Sequence, residues 1–124
     1  MARILIAEDE AHIARVLSIW LTRHGHLIFI AENGEAALEI LDVEPIDLII
    51  SDMNMPKMNG IELVAAVREE RHLDVPFILL TARCDQVELG RTLQPYSVRL
   101  YRKPFVPSRL VADIDEMLKP AATS

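Results

Sequence analysis

The residues of this chain that could do chemistry are few and lie far apart in sequence. Glu8 and Asp9 follow "ILIA", Asp52 opens "DMNMPKMNG" after "LIIS", Thr81 closes "FILLT", and Lys103 and Pro104 follow "VRLYR". Each stands where an apolar run stops. Brought together they would form a cluster of carboxylates with one hydroxyl and one ammonium. Carboxylates crowded at a few ångströms repel, and each raises the other's pKa unless a cation intervenes. A hard divalent ion resolves the conflict, and Mg²⁺ suits oxygen ligands because it takes octahedral geometry and keeps several waters. On this reading Asp9 and Asp52 are direct ligands, Glu8 acts through water, and the main-chain carbonyl of Asn54 is a third protein oxygen. With the ion and Lys103 both present, such a pocket could hold a phosphoryl group. Asp52 would be the nucleophile and give an acyl phosphate. Lys103 would neutralise charge on the phosphoryl oxygens and Thr81 would donate a hydrogen bond to one of them. Ala82, next to Thr81, leaves space for the entering group.

That chemistry requires elements that end at one rim. Apolar runs of strand length occupy Ile4 to Ala7, Leu27 to Ala31, Asp47 to Ser51, Phe77 to Thr81 and Val98 to Arg102. The unbroken middle runs predict strands covered on both faces. Between runs the period changes to that of a helix with one buried stripe: Ile13, Val16, Leu17, Trp20 and Leu21 early on, Leu110, Val111, Ile114, Met117 and Leu118 near the end. Shorter helices are predicted from Gly34 to Asp42 with Asn33 as N-cap, and from Gly60 to Glu70. A fourth is predicted between Asp85 and Gln94, with Gly90 inside it and Pro95 ending it. Gly25 after His24 reads as a helix stop. Strand and helix alternate five times, so the predicted class is α/β: a doubly wound, five-stranded parallel sheet with helices on both faces and right-handed crossovers. In such a sheet, ligands bind outside the carboxyl ends of the strands, which is where the reactive residues fall. Residues 1–119 are predicted to form one domain and 120–124 a disordered tail.

A chain of 124 residues has room for one such domain. The net charge of −6 offers no broad attraction to nucleic acid or to an anionic membrane. The single cysteine, Cys84, excludes an intrachain disulfide and reads as a small inert thiol, and no apolar stretch approaches the length of a membrane span. A reducing cytoplasm is the expected location. "HGH", His24 to His26, has metal-like spacing, but a histidine in a last helical turn suits the helix dipole, so a structural role is expected. His12 and His72 read as surface residues. Met53, Met55 and Met58 are expected to anchor the loop after Asp52.

The segments "AEDE", "LIISDMNMPKMNG", "ILLTA" and "RKPF" occur in an order and spacing that resemble the receiver domain of two-component response regulators, over essentially the whole chain. The resemblance implies a flavodoxin-like fold of strand order 2-1-3-4-5, Mg²⁺ as cofactor, and phosphorylation of Asp52 by a histidine kinase or histidine phosphotransfer protein. It also implies a cis peptide bond before Pro104. With no output domain in the sequence, the expected role is a stand-alone signalling protein that passes its state to a separate, unspecified protein target. It would be an enzyme only toward its own phosphoryl group, with slow autodephosphorylation as reset.

Two departures qualify the resemblance. Receivers usually carry an aromatic residue three before the lysine, which follows the threonine as it moves; here that position is Leu100. Tyr101 is one residue later and should point to the other side of the sheet. Tyr96 stands where the family tends to have glycine, and a bulky residue there resists a left-handed turn. An atypical, mobile fourth-helix region is therefore expected, with Arg91, Arg99 and Arg102 nearby. In many receivers this surface mediates signalling or dimerisation, so a homodimer is among the assemblies the resemblance implies. Competing readings are a degenerate receiver that binds partners without phosphorylation and a haloacid-dehalogenase-like phosphohydrolase. The latter wants a second aspartate two after the nucleophile, where this chain has Asn54. A flavin carrier would need a phosphate-cradling loop after the first strand, and "EDEAH" is too acidic for that.

Overall fold

The period-two alternation of buried residues along each strand divides the interior into two layers. Leu5, Ala7, Ile49, Phe77 and Leu79 face one way, and Ile4, Ile6, Leu48, Ile50, Ile78 and Leu80 face the other. The computed structural model describes residues 2–82 and 86–118, and the side chains of 86–88 are not described. The readings made of Cys84, Asp85 and the 120–124 tail thus lie outside the described residues. The strands are β1 (Arg3–Ala7), β2 (Leu27–Ala31), β3 (Leu48–Asp52), β4 (Phe77–Thr81) and β5 (Val98–Arg102). They form one parallel sheet of order β2-β1-β3-β4-β5. The helices are α1 (Ala11–Arg23), α2 (Gly34–Val43), α3 (Gly60–Ala65), α4 (Gln86–Leu93) and α5 (Pro107–Met117). Leu17 and Leu21 of α1 and Leu110, Val111 and Ile114 of α5 cover one face of the sheet. Ala37 and Leu38 of α2, Leu63 and Val64 of α3, and Leu89 and Leu93 of α4 cover the other. Continuous apolar strands are what burial on both faces demands.

Local signals set the helix ends. Asn33 caps α2 by accepting from the Ala36 amide at 2.8 Å, and Asn59 and Glu62 form a reciprocal capping box at the start of α3. After α1 the chain turns at Gly25, whose φ of +87° is available to glycine and costly for other residues. The register pairs Ala7 with Ser51, Asp52 with Leu80, and Thr81 with Arg102, so the strand exits end level. No helix among the described residues is long and apolar enough to cross a membrane.

The structure departs from the sequence reading in specific places. β3 includes Asp52, so the carboxylate is held by the sheet itself and not by the loop beyond it. β2 is an edge strand, and Leu27 and Ile30 are 42% and 47% exposed, so its apolar run is not covered on both faces. The helix expected to reach Glu70 ends at Ala65 and continues as one π-helical turn, Ala66–Glu70, in which the Arg71 amide donates to the Ala66 carbonyl at 3.0 Å. α4 ends at Leu93, and Pro95 lies inside a 3₁₀ turn, Gln94–Tyr96. Tyr96 does not take the left-handed position; Ser97 does, with φ 56° and ψ 54°. Arg68 fastens this junction by donating from Nε to the Tyr96 carbonyl at 2.8 Å, and the Tyr96 hydroxyl donates to Glu69.

Candidate functional site

Because the strands are parallel and end level, their exits gather the residues singled out above. Glu8 and Asp9 come directly after β1, and the Glu8 amide donates to the Ala31 carbonyl at the end of β2, 2.9 Å away. The Glu8 side chain is buried while Asp9 is exposed. Asp52 is buried at the end of β3, where its Oδ1 accepts from the Met53 amide at 2.9 Å. Lys103 follows β5, anchored by donation from its amide to the Thr81 carbonyl at 2.8 Å. Its Nζ lies 2.9 Å from Asp52 Oδ1 and 3.5 Å from Glu8 Oε1. Thr81 closes β4 and is fully buried. Asn54 is exposed, two residues beyond Asp52. The Lys103–Pro104 peptide bond is cis. Exposed Ala82 lines an apolar groove of about 420 Å³ with His12, Lys103 and Phe105.

The electrostatics are those of an acid surplus. One oxygen from each of Glu8, Asp9 and Asp52 lies within 4.8 Å of the others. Burial, then the charge of Asp52, raises the Glu8 carboxyl to about 7, against the opposing Glu10 amide and Lys103 charge. For Lys103, burial pulls downward, but the hydrogen bond to Asp52 and the charges of both acids outweigh it and hold the ammonium above its ordinary range. One ammonium thus faces a carboxylate cluster, two members of which are buried. Three hard oxygen donors at this spacing fit a divalent ion of the Mg²⁺ type and suit soft metals poorly.

Leu100 and the neighbouring Tyr101 occupy opposite layers. Leu100 packs in the layer of α2, α3 and α4, while Tyr101 packs toward α5 and donates from its hydroxyl to Asp113 at 2.7 Å. Sequence reasoning missed how close the loop after Asp52 comes to its own helix. A Cβ on Gly60 would stand 2.5 Å from the Asp52 carbonyl oxygen and 2.5 Å from Leu79 Cδ1. The signal for this was the glycine closing "DMNMPKMNG".

Residues 4–115 match the sequence family described as the response regulator receiver domain. The chain belongs to that family. Among related receivers is a chemotaxis protein CheY homolog of Campylobacter jejuni, 34% identical over 119 residues, a span covering 94% of this chain and 92% of that one. The transcriptional regulatory protein CpxR of Escherichia coli is also 34% identical, over 96% of this chain. The chain spans about half the length of CpxR and of the probable transcriptional regulator ycf27 of Cyanidium caldarium, the matched portions being 50% and 46% of those proteins. The receiver CheY4 of Vibrio cholerae superposes with a TM-score of 0.86 at 31% identity, covering 95% of this chain and 99% of that one. TrrA of Thermotoga maritima, solved in complex with Mg²⁺ and BeF, superposes at 0.82 with 31% identity, covering 95% and 100%. These neighbours share the flavodoxin-like fold, and receivers of this family bind Mg²⁺ at an acidic pocket of the kind formed here by Glu8, Asp9 and Asp52.

Proposed function

We propose that this receiver takes a phosphoryl group on Asp52, from a histidine kinase or a histidine phosphotransfer protein, and that the modified form changes its affinity for a separate protein. The observation that carries this reading is the 2.9 Å approach of Lys103 Nζ to Asp52 Oδ1 beside the oxygens of Glu8 and Asp9. A carboxylate oxygen of Asp52 attacks phosphorus in line. The new P–O bond forms as the bond from phosphorus to the donor breaks, and the donor keeps that electron pair. Lys103 then turns its ammonium from the carboxylate to a phosphoryl oxygen, and the Thr81 hydroxyl donates to another. Ala82 adds no side-chain bulk beyond a methyl at the mouth. Asp9, Asp52 and the Asn54 carbonyl would hold a Mg²⁺ ion, with Glu8 acting through water, and the ion would supply charge neutralisation on the transferring group. Water later cleaves the acyl phosphate and resets the protein.

Asn54 weighs against a phosphohydrolase, since the position two after the nucleophile has no acid to protonate a leaving group. The deciding experiment is incubation with Mg²⁺ and a radiolabelled small phosphodonor such as acetyl phosphate. Label should reach one equivalent in the wild type and be absent from Asp52→Ala. Rapid multiple turnover of phosphomonoesters would instead favour the hydrolase, and partner capture that is indifferent to beryllofluoride would favour a degenerate receiver.

A further inference from the structure

We propose that Gly34, which contributes no atom to the acid cluster, is a positioning residue for the loop that carries Asn54, acting through Met58. The proposal rests on the Mg²⁺-dependent reading of Asp52 given above. Gly34 opens α2, and its backbone is not left-handed: among the described glycines only Gly25 has positive φ. Alanine would suit that helical position better on propensity alone, so the backbone gives no reason for glycine there. Packing does. A Cβ on Gly34 would lie 2.7 Å from both Cβ and Cγ of Met58 and 2.9 Å from its carbonyl oxygen. Two of these atoms belong to the chain near its backbone, so no rotation of a side-chain tip relieves the contact. Ordinary carbon contacts begin near 3.5 Å, so the loop would have to move by about 1 Å.

That loop, residues 53–59, has little slack. At its near end the Met53 amide donates to the Leu80 carbonyl at 2.9 Å, and the Gly60 amide returns to the Met53 carbonyl at 2.8 Å. At its far end Asn59 is locked in the capping box with Glu62. Between them Lys57 is left-handed, with φ 67°, and the Met58 amide closes a tight turn onto the Pro56 carbonyl at 2.7 Å. A push at Met58 is therefore passed along the loop toward Asn54. The same β2–α2 turn also receives the Glu8 amide, through the Ala31 carbonyl at 2.9 Å. One short segment thus supports the acid cluster from two sides. Mg²⁺ tolerates little departure from octahedral geometry, so its binding is the property most sensitive to such a shift.

The test is Mg²⁺ binding by titration calorimetry together with acetyl phosphate labelling, for wild type, Gly34→Ala and Gly90→Ala. Gly90 is the control, because a Cβ there meets nothing within 4 Å. Gly34→Ala should keep the wild-type fold and melting temperature to within a few degrees, yet bind Mg²⁺ about tenfold more weakly, the loss typical when the support of a metal ligand is moved. Its labelling should recover at saturating Mg²⁺, and Gly90→Ala should bind as wild type. An unchanged Kd in Gly34→Ala, or an equal loss in Gly90→Ala, overturns the proposal. If Gly34→Ala does not fold, Met58→Ala takes its place: weaker Mg²⁺ binding supports the positioning role and wild-type binding overturns it. Failure of the wild type to bind Mg²⁺ or take label overturns instead the reading on which the proposal rests.

Discussion

Lys103 Nζ and Asp52 Oδ1 stand 2.9 Å apart across the ends of two strands that are not neighbours, since β4 lies between β3 and β5. The lysine reaches past the end of β4 and also lies 3.5 Å from Glu8 Oε1, beyond β1. Its side chain is 17% exposed and those of Asp52 and Glu8 are 8% and 1%, so water screens these charges only partly. Among the described residues this ammonium lies against two buried acids, so a change to it should alter both stability and cation affinity.

Lys103→Ala should therefore destabilise the metal-free protein by about 1–3 kcal/mol, because it removes the ammonium paired with two buried carboxylates. The loss should be smaller when Asp52→Asn is already present, since one of the two repelling acids is then neutral. Urea unfolding of the four members of this cycle in chelator measures the coupling. Additive losses would mean that the ion pair contributes nothing to the folded state.

A ligand that binds only the folded state stabilises by mass action, which gives about 2.7 kcal/mol at a hundredfold excess over Kd. Saturating Mg²⁺ should raise the wild-type melting temperature accordingly, and chelator should remove the gain. Asp9 is exposed, so Asp9→Asn should change stability in chelator by no more than about 0.5 kcal/mol. It should nevertheless abolish most of the Mg²⁺-dependent rise. A variant that melts like wild type with and without Mg²⁺ would remove Asp9 from the ligand set.

The strands were legible because a sheet buried on both faces leaves an uninterrupted apolar run, and the acids, the threonine and the lysine mark where each run stops. Leu27–Ala31, Phe77–Thr81 and Val98–Arg102 begin and end where those runs do. What escaped the sequence depends on neighbours remote in the chain. The exposure of Ile30 follows from β2 lying at the sheet edge. The π-helical turn at Ala66–Glu70 has no propensity signature, and Arg68, which reaches across to the Tyr96 carbonyl, reads in sequence as an ordinary helical surface residue. Left-handed Ser97 was hidden because the 3₁₀ turn at Gln94–Tyr96 carries the chain one residue further before it reverses. The order of motifs named the candidate site residues, whereas the burial of Glu8 and the exposure of Asp9 came only with the fold.

Gly60 and Gly90 make opposite predictions for the same substitution. At Gly60 a Cβ meets the Asp52 carbonyl at 2.5 Å, Leu79 Cδ1 at 2.5 Å and Met53 Cα at 3.0 Å, two of them backbone atoms of the β3 exit. Gly60→Ala should cost about 1–3 kcal/mol through overpacking. Gly90 lies within α4 in open space, so Gly90→Ala should stabilise by about 0.5–1 kcal/mol through helix propensity. Urea midpoints at constant m-value would check both. Equal shifts of the same sign would show that the β3 exit yields freely.

The clamp between α1 and α5 predicts a dependence on acid. His24 Nδ1 lies 2.6 Å from Asp115 Oδ2 and His26 Nε2 lies 2.9 Å from Asp115 Oδ1, while the Ala2 amide donates to His26 Nδ1 at 3.2 Å. With Nδ1 accepting, His26 carries its proton on Nε2 and donates it to the carboxylate. Burial pushes the Asp115 carboxyl up, but the hydrogen bonds from His26 and His24, together with the charge of His24, outweigh that and hold it below its usual range. A carboxyl depressed in the folded state binds fewer protons there than in the unfolded chain. Its contribution is therefore fully present above the unfolded value, about 3.9, and is lost as pH falls through the lower folded value. Asp115→Asn should be less stable than wild type near neutral pH, and the difference should shrink as the solution is taken below about pH 4. Urea midpoints across an acid series measure this, and a gap of constant size down to the lowest pH at which both proteins fold would show that the carboxylate charge plays no part in holding α5 to α1.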